Sequence, residues 1–131
     1  MKAKTLSWWK KDTQVKFNKL ITAKGFCEWC GSRTNQLHCS HTLSVGAYPN
    51  LRYDILNACC HCAYCHRWKW HDNPTDGWIW FKSKYPERLV YLEAVKNRYK
   101  KWTITELREI QKHIENKDLN KLVTFKDALD K

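Results

Sequence analysis

No apolar run in this sequence is long or uninterrupted enough to cross a bilayer, so a transmembrane helix is excluded. The opening residues, Met1-Lys2-Ala3-Lys4-Thr5, carry charge, but no apolar core follows them. A secretory leader is therefore not expected, and a soluble protein of the cytoplasm is. There is no internal repeat and no low-complexity linker, which argues against a solenoid or a string of modules. At 131 residues the chain has room for one domain and too little for two comfortable ones. Hydrophobic residues make up 43%, enough to build a core and too many for disorder by composition.

What the chain has in excess is positive charge, unevenly placed. The net charge is +11, from 24 basic and 13 acidic residues. Residues 1–26 hold seven Lys against one Asp, and residues 82–101 hold seven Lys or Arg against two Glu. The segments 27–81 and 102–131 each sum to zero. Two basic segments thus flank a neutral centre rich in Cys and His. Lys and Arg displace the counterions condensed on phosphates, so this is the footprint of a polyanion binder. A basic surface that serves only solubility is the plainer alternative.

The local patterns give an order of elements. Ser7 is placed to cap a first helix running to about Lys24, with Trp8, Trp9, Val15, Phe17, Leu20 and Ile21 as its apolar residues and Gly25 just past its end. Residues 36–45 contain β-formers and read as a strand. Gly46 to Asn50 is turn chemistry, and Leu51 to Leu56 reads as a second strand or extended connection. The stretch from Asn57 to about His71 is expected to enter a short helix. Asn73-Pro74 breaks it, and Thr75 or Asp76 can cap a short aromatic helix holding Trp78, Trp80 and Phe81. Pro86 suits a first helical turn, and Leu89, Leu92, Val95 and Tyr99 recur at helical spacing within 87–101. Thr103 and Glu106 fit a capping box ahead of an amphipathic helix with Leu107, Ile110 and Ile114. The expected architecture is α+β: one domain over 1–131, with a basic N-terminal helix (1–26), a Cys/His-rich core (27–73) and a helical extension (74–131).

Seven cysteines is an odd number, and two pairs have metal-ligand spacing. Cys27-x-x-Cys30 and Cys62-x-x-Cys65 each present two thiolates from one side of a turn. Two such turns close a tetrahedron around zinc without admitting water, which marks a structural site. Such a site ties distant segments together and can carry much of a small domain's stability. Buried free thiols explain one cysteine well and paired spacings poorly. Cys59-x-x-Cys62 is a competing register for the second pair. Cysteines outside the zinc set, Cys39, Cys59 and Cys60 in the first register, are expected to pack as small hydrophobes.

Histidines gather around these turns. His38 and His41 lie between the knuckles, His66 follows the second directly, and His71 comes five residues later, with Asn57 upstream. A lone histidine is more often packed or exposed than catalytic. The succession of CxxC, His, Asn and CxxC-His is more specific, and it resembles the HNH, or ββα-metal, nucleases. The segment Trp9-Lys-Lys-Asp-Thr-Gln14-Val-Lys-Phe17-Asn18-Lys-Leu-Ile21 ahead of Cys27-x-x-Cys30-Gly31 narrows the likeness to the NinG/Rap family of phage recombination proteins. So does His38-x-x-His41-x-x-x-Val45-Gly46-Ala47-x-Pro49-x-Leu51-Arg52-Tyr53, followed by Asn57 and Cys62-Ala63-x-Cys65. The resemblance covers about residues 8–75.

That resemblance implies a zinc-stabilised ββα-metal core, the Cys62/Cys65 register, and a metal-dependent endonuclease hydrolysing phosphodiester bonds in DNA. Branched recombination intermediates such as Holliday junctions would be the target, and the host cell cytoplasm the place. Phosphodiester hydrolysis needs a deprotonated water and a cation, Mg²⁺ or Mn²⁺, to neutralise developing charge. His41 is the candidate general base, Asn57 its orienting residue, and His66 the cation ligand, these three forming the catalytic set. Many HNH nucleases carry Asp or His directly before the base. Here that residue is Ser40, so either His71 or His38 supplies the second ligand or water fills the position. His66 also departs from the Asn usual in NinG-like sequences. Joint ligation by His66 and His71 requires the helix to end or distort near Trp70. Arg52 is placed either to contact phosphate or to pair with Asp54, while Lys10, Lys11, Arg67 and Lys69 are further candidate DNA contacts. Trp68 and Trp70 are expected mainly to pack, with stacking on unpaired bases as the alternative. Paired cuts on a junction would suit a homodimer joined through the helix at 103–116, whose apolar stripe is explained more simply as core. Two other functions share these features: a zinc-binding DNA adaptor without catalysis, and an HNH nicking or restriction-type nuclease acting on duplex DNA.

Overall fold

The computed structural model describes residues 2–130. Along the chain come α1 (Leu6–Thr22), β1 (Leu37–His41), β2 (Ala58–Cys62), a π-helix (Cys65–His71), α2 (Pro74–Lys84), α3 (Pro86–Val95) and α4 (Ile104–Glu115), with short 3-10 turns between β1 and β2 and after α4. The α+β class holds. No helix among the described residues is long and apolar enough to cross a membrane.

β1 and β2 pair antiparallel, with Leu37 opposite Cys62 and His41 opposite Ala58. Because side chains alternate along a strand, Leu37, Cys39, His41, Ala58, Cys60 and Cys62 share one face, and His38, Ser40, Cys59 and His61 share the other. The first face meets α1, with α4 alongside, in a core of Phe17, Ile21, Tyr53, Ala58, Cys60, Trp102 and Leu107. The second face meets a separate core of Leu51, Cys59, Trp70, Phe81, Tyr91, Leu92, Val95 and Val123, built largely from α2, α3 and the π-helix. Each fully buried large apolar side chain here contributes about 1.5–3 kcal/mol. The small sheet is therefore held from both sides. As expected of thiols outside a metal site, Cys59 and Cys60 are buried and Cys39 packs against the first core.

Several element boundaries differ from the sequence reading, each for a local reason. Thr5, not Ser7, caps α1, its side chain accepting from the Trp8 N–H. Val15 and Trp8 face outward, since α1 buries only Thr13, Phe17 and Ile21. Gly25 does sit past the helix, in the left-handed region at φ 84°. The second strand is not Leu51–Leu56 but Ala58–Cys62. Polar side chains fold residues 49–57 into turns: buried Asp54 accepts from the Leu56 N–H, the Thr124 N–H and the Tyr91 hydroxyl. The helix expected over 87–101 stops at Val95, where Asn50 Nδ2 donates to the carbonyls of Lys96 and Arg98. α2 begins at Pro74 with Asn73 as its N-cap residue, ahead of Thr75 and Asp76, and no side chain closes that cap. The Thr103–Glu106 capping box forms in full. On α4, Leu107 is buried, and Ile110 and Ile114 pack against the same core, so its apolar stripe is core.

Candidate metal centre and histidine cluster

The four knuckle cysteines come together. The Sγ atoms of Cys27, Cys30, Cys62 and Cys65 all lie within 4.8 Å of one another, with Cys30 and Cys62 at 3.8 Å. Four thiolates bound to zinc at about 2.3 Å stand about 3.8 Å apart, so the set fits a tetrahedral ion. Each CxxC closes as a turn. The Cys30 N–H points at Cys27 Sγ and the Cys65 N–H at Cys62 Sγ, while Gly31 takes φ 79° and donates to the Cys27 carbonyl. Burial alone would raise the Cys62 thiol. The Cys65 N–H and the neighbouring cysteines outweigh it and bring it down to about 7, which favours the thiolate a metal needs. The competing register through Cys59 fails because Cys59 points to the opposite face from Cys62.

Glu28, inside the first knuckle, has a task that the spacing did not reveal. Its N–H donates to the Cys60 carbonyl, and its carboxylate accepts from the Cys60 N–H, from the Tyr85 hydroxyl and from Lys24. Burial pushes this carboxyl up, but those donors more than compensate and hold it below the usual range. The knuckle is thereby fastened to the edge of β2.

On the far face of the sheet, three histidines form a chain. His38 Nδ1 lies 3.1 Å from His66 Nδ1, and His66 Nε2 lies 3.1 Å from His71 Nε2. The π-helix makes this possible, because its wider turn brings residues five apart onto one side, where an α-helix would rotate them away. His66 is half-buried and depressed to about 4, first by burial and then by the charges of His71, His38 and His41. Two nitrogens on one ion with bonds of about 2.1 Å stand about 3 Å apart, so either neighbouring pair suits a shared cation. His66 sits in the middle with a different nitrogen toward each partner. The three imidazoles therefore do not converge as the cysteines do, which alone among the described residues form a closed ligand set. Ser40 is buried opposite Cys59 and contributes no ligand to this group. His38 stands where Ser40 left a position unassigned.

His41, the last residue of β1, lies on the α1 face. Its Nε2 donates to the Arg52 carbonyl at 3.2 Å, which leaves Nδ1 with the lone pair, and its ring stacks on Phe17. Burial lowers its pKa and the Arg52 charge adds to this, against the carbonyl's opposing pull. The imidazole is neutral near pH 7, as a base must be. The hydrogen bonds of Asn57 go to backbone rather than to this ring. Its side chain accepts from the Leu43 N–H and donates to the carbonyls of Leu43 and Leu51, while its own carbonyl accepts from Thr42. It clamps the backbone on either side of the loop that follows His41, and acts on the ring only through that backbone.

Gln14 belongs to the same site, which its place in the sequence does not reveal. Its amide nitrogen donates to the Arg52 carbonyl, the same oxygen that holds His41, and its Oε1 accepts from Arg52 Nε. Its helical position in a segment read for apolar spacing gave no sign of this. Arg52 does not pair with Asp54: its guanidinium is held by Gln14 and lies over Tyr53. Of the other candidate DNA contacts, Lys11 and Arg67 are exposed, Lys10 is half-buried, and Lys69 lies over the Trp29 ring. Trp70 is buried, whereas Trp68 is half exposed.

A protein-family model described as "Bacteriophage Lambda NinG protein" matches residues 1–123. No curated protein and no solved structure matches the chain.

Proposed function

The chain belongs to the bacteriophage lambda NinG protein family, and from that premise we propose that it is a metal-dependent DNA endonuclease whose centre is an HNH-type, ββα-metal arrangement. The observation that carries this reading is the neutral, carbonyl-held His41 at the end of β1, on the other face of the sheet from the His38–His66–His71 chain but near enough to His66 to couple with it electrostatically. A neutral imidazole next to a group able to hold a cation is what phosphodiester hydrolysis requires. The basic surface and the order of β1, β2 and a helical segment fit the same reading.

In this mechanism His41 Nδ1 takes a proton from a water molecule. That water's oxygen forms a bond to phosphorus, the opposite phosphorus–oxygen bond breaks, and solvent protonates the leaving oxygen. The Arg52 carbonyl, itself held by Gln14, keeps the ring in the tautomer that accepts at Nδ1. As the ring becomes cationic, the same carbonyl stabilises its charge. Asn57 fixes the backbone that carries the ring. His66, with His38 or His71, would hold a divalent cation such as Mg²⁺ or Mn²⁺. Its contribution when bound is to neutralise charge on the phosphate and leaving oxygen. Cys27, Cys30, Cys62 and Cys65 would hold a zinc ion with all four positions taken by thiolates, a structural role outside the chemistry. We assign branched DNA, such as recombination intermediates in the host cell, as the substrate.

The test is cleavage of fluorescent duplex, flap and four-way-junction DNA with Mg²⁺ or Mn²⁺, beside His41→Ala. The expected outcome is preferential cutting of the branched forms and a loss of about a hundredfold or more in His41→Ala. Failure of the wild type to cut any of them with either metal would leave a zinc-binding DNA adaptor as the function. Cutting of plain duplex as fast as the junction would point to a nicking or restriction-type enzyme.

A further inference from the structure

We infer that Tyr64 and Trp68, on the helical segment that also carries His66, form a platform on which an unpaired nucleobase of single-stranded DNA stacks. The inference rests on the endonuclease reading and names what that site grips. Most tryptophans here are packed into cores, but Trp68 keeps 52% of its surface exposed and Tyr64 keeps 57%. Leaving two large rings in water has no packing purpose, and exposed aromatics beside cations are a recognition device for bases.

Their placement is specific. Tyr64 and Trp68 are four residues apart on the helical segment that leads into and through the π-helix, with His66 between them in sequence. Together with Arg67, Ala63, Asn35 and Gln36 they line an open cleft of about 530 Å³. The Arg67 guanidinium lies over the Trp68 ring and is exposed, so it can meet a phosphate while the rings meet a base. Asn35 and Gln36 bring amide donors and acceptors suited to a base edge. Both walls of the cleft are tied down locally. The Ala63 N–H donates to the Gln36 carbonyl, Asn35 N–H donates to Ser32 Oγ, and Cys62 and Cys65 anchor the segment in the metal centre. The cleft's one charged lining residue is a cation, which complements a nucleic-acid backbone. A base stacked in a duplex shows only its edge and cannot lie on these rings. Bases freed at a flap or junction can.

The experiment measures binding of the zinc-loaded protein, without added divalent cation, to three fluorescein-labelled probes. These are an oligothymidylate, an abasic oligomer of equal length and charge, and a short blunt duplex. Wild type is expected to prefer the oligothymidylate over the abasic chain by about tenfold, from one stacked base. Trp68→Ala is expected to abolish that preference while leaving abasic and duplex affinity nearly unchanged, and Trp68→Phe to keep most of it. Tyr64→Ala, which removes the second ring of the platform, should reduce the preference as well, and it decides the matter should Trp68→Ala fail to fold. A wild type without base preference, or a folded Trp68→Ala that retains it, overturns the inference. Binding alone is decisive, whether or not the protein cleaves. A protein that cuts nothing yet shows the Trp68-dependent preference keeps the platform and loses the endonuclease reading. One that cuts normally without the preference does the reverse.

Discussion

His66 and His71 face each other at 3.1 Å between Nε2 atoms because the chain between them winds as a π-helix. In an α-helix, five residues turn through about 500°, which would put the two rings well over a hundred degrees apart. The wider turn closes that gap and aligns them with His38 on β1. Single π-turns recur at functional sites, and here the turn is what makes a histidine chain out of an awkward spacing.

A cation held by imidazoles should be chosen for softness. Mg²⁺ prefers an octahedron of oxygens, whereas imidazole suits later transition metals. DNA cleavage is expected to run faster in Mn²⁺, Co²⁺ or Ni²⁺ than in Mg²⁺. His66→Ala is expected to raise the Mn²⁺ concentration for half-maximal activity by about tenfold or more. Equal rates in Mg²⁺ and Mn²⁺, with no shift in His66→Ala, would count against histidine ligation.

Zinc at the four cysteines is expected at one ion per chain, measurable by elemental analysis of the purified protein. Structural zinc in small domains contributes about 10–16 kcal/mol apparent at neutral pH, as large as the whole stability of a typical domain. Chelation, or Cys62→Ser, should therefore abolish the cooperative melting transition. An unchanged melting curve after zinc removal would refute the structural role.

His61 is buried among the rings of Trp29, Trp70 and Trp80, and neither of its ring nitrogens has a hydrogen-bond partner among the described residues. Burial, its largest influence, depresses the ring to about 4 from the ordinary 6.5. The folded state thus binds this proton less readily than the unfolded one. Stability is unaffected above pH 6.5, falls as pH drops from 6.5 toward 4, and levels off below that. His61→Phe should gain about 1–2 kcal/mol at pH 7 by removing an unpartnered polar group. The advantage should widen as the buffer is taken toward pH 4. Thiol protonation weakens the zinc site in both proteins, so the difference between their denaturant midpoints isolates His61. A variant less stable than wild type at both pH values would show that the imidazole has a partner.

Gly77 in α2 lies under the Trp70 ring, and a methyl group there would run into three atoms of the indole. Its backbone is ordinarily helical, so alanine would otherwise help by about 1 kcal/mol. Overpacking costs about 1–3 kcal/mol, and the collision is with a ring wedged in the core. Gly77→Ala is expected to lower the melting temperature by several degrees. A rise would place Trp70 elsewhere.

Much of this could be read from residue types and spacing. The paired CxxC turns specified the metal centre, because two thiolates three residues apart need only a local turn to point together. The Thr103–Glu106 box and Pro86 marked helix starts for equally local reasons. The sequence also named the histidines and indicated that His66 and His71 could meet only if the helix distorted. Tertiary structure decided what local pattern could not carry. The second strand is Ala58–Cys62 because its side chains are gripped on both faces, while Leu51–Leu56, equally plausible by composition, is drawn into turns by Asp54 and Asn57. Glu28 and Gln14 gained their tasks from partners at least 32 residues away, Cys60 and Arg52. The order of residues along the chain sets which groups can bind a metal or move a proton. Which nitrogen faces which neighbour depends on long-range packing around a sheet of two strands, and that is written in no single segment.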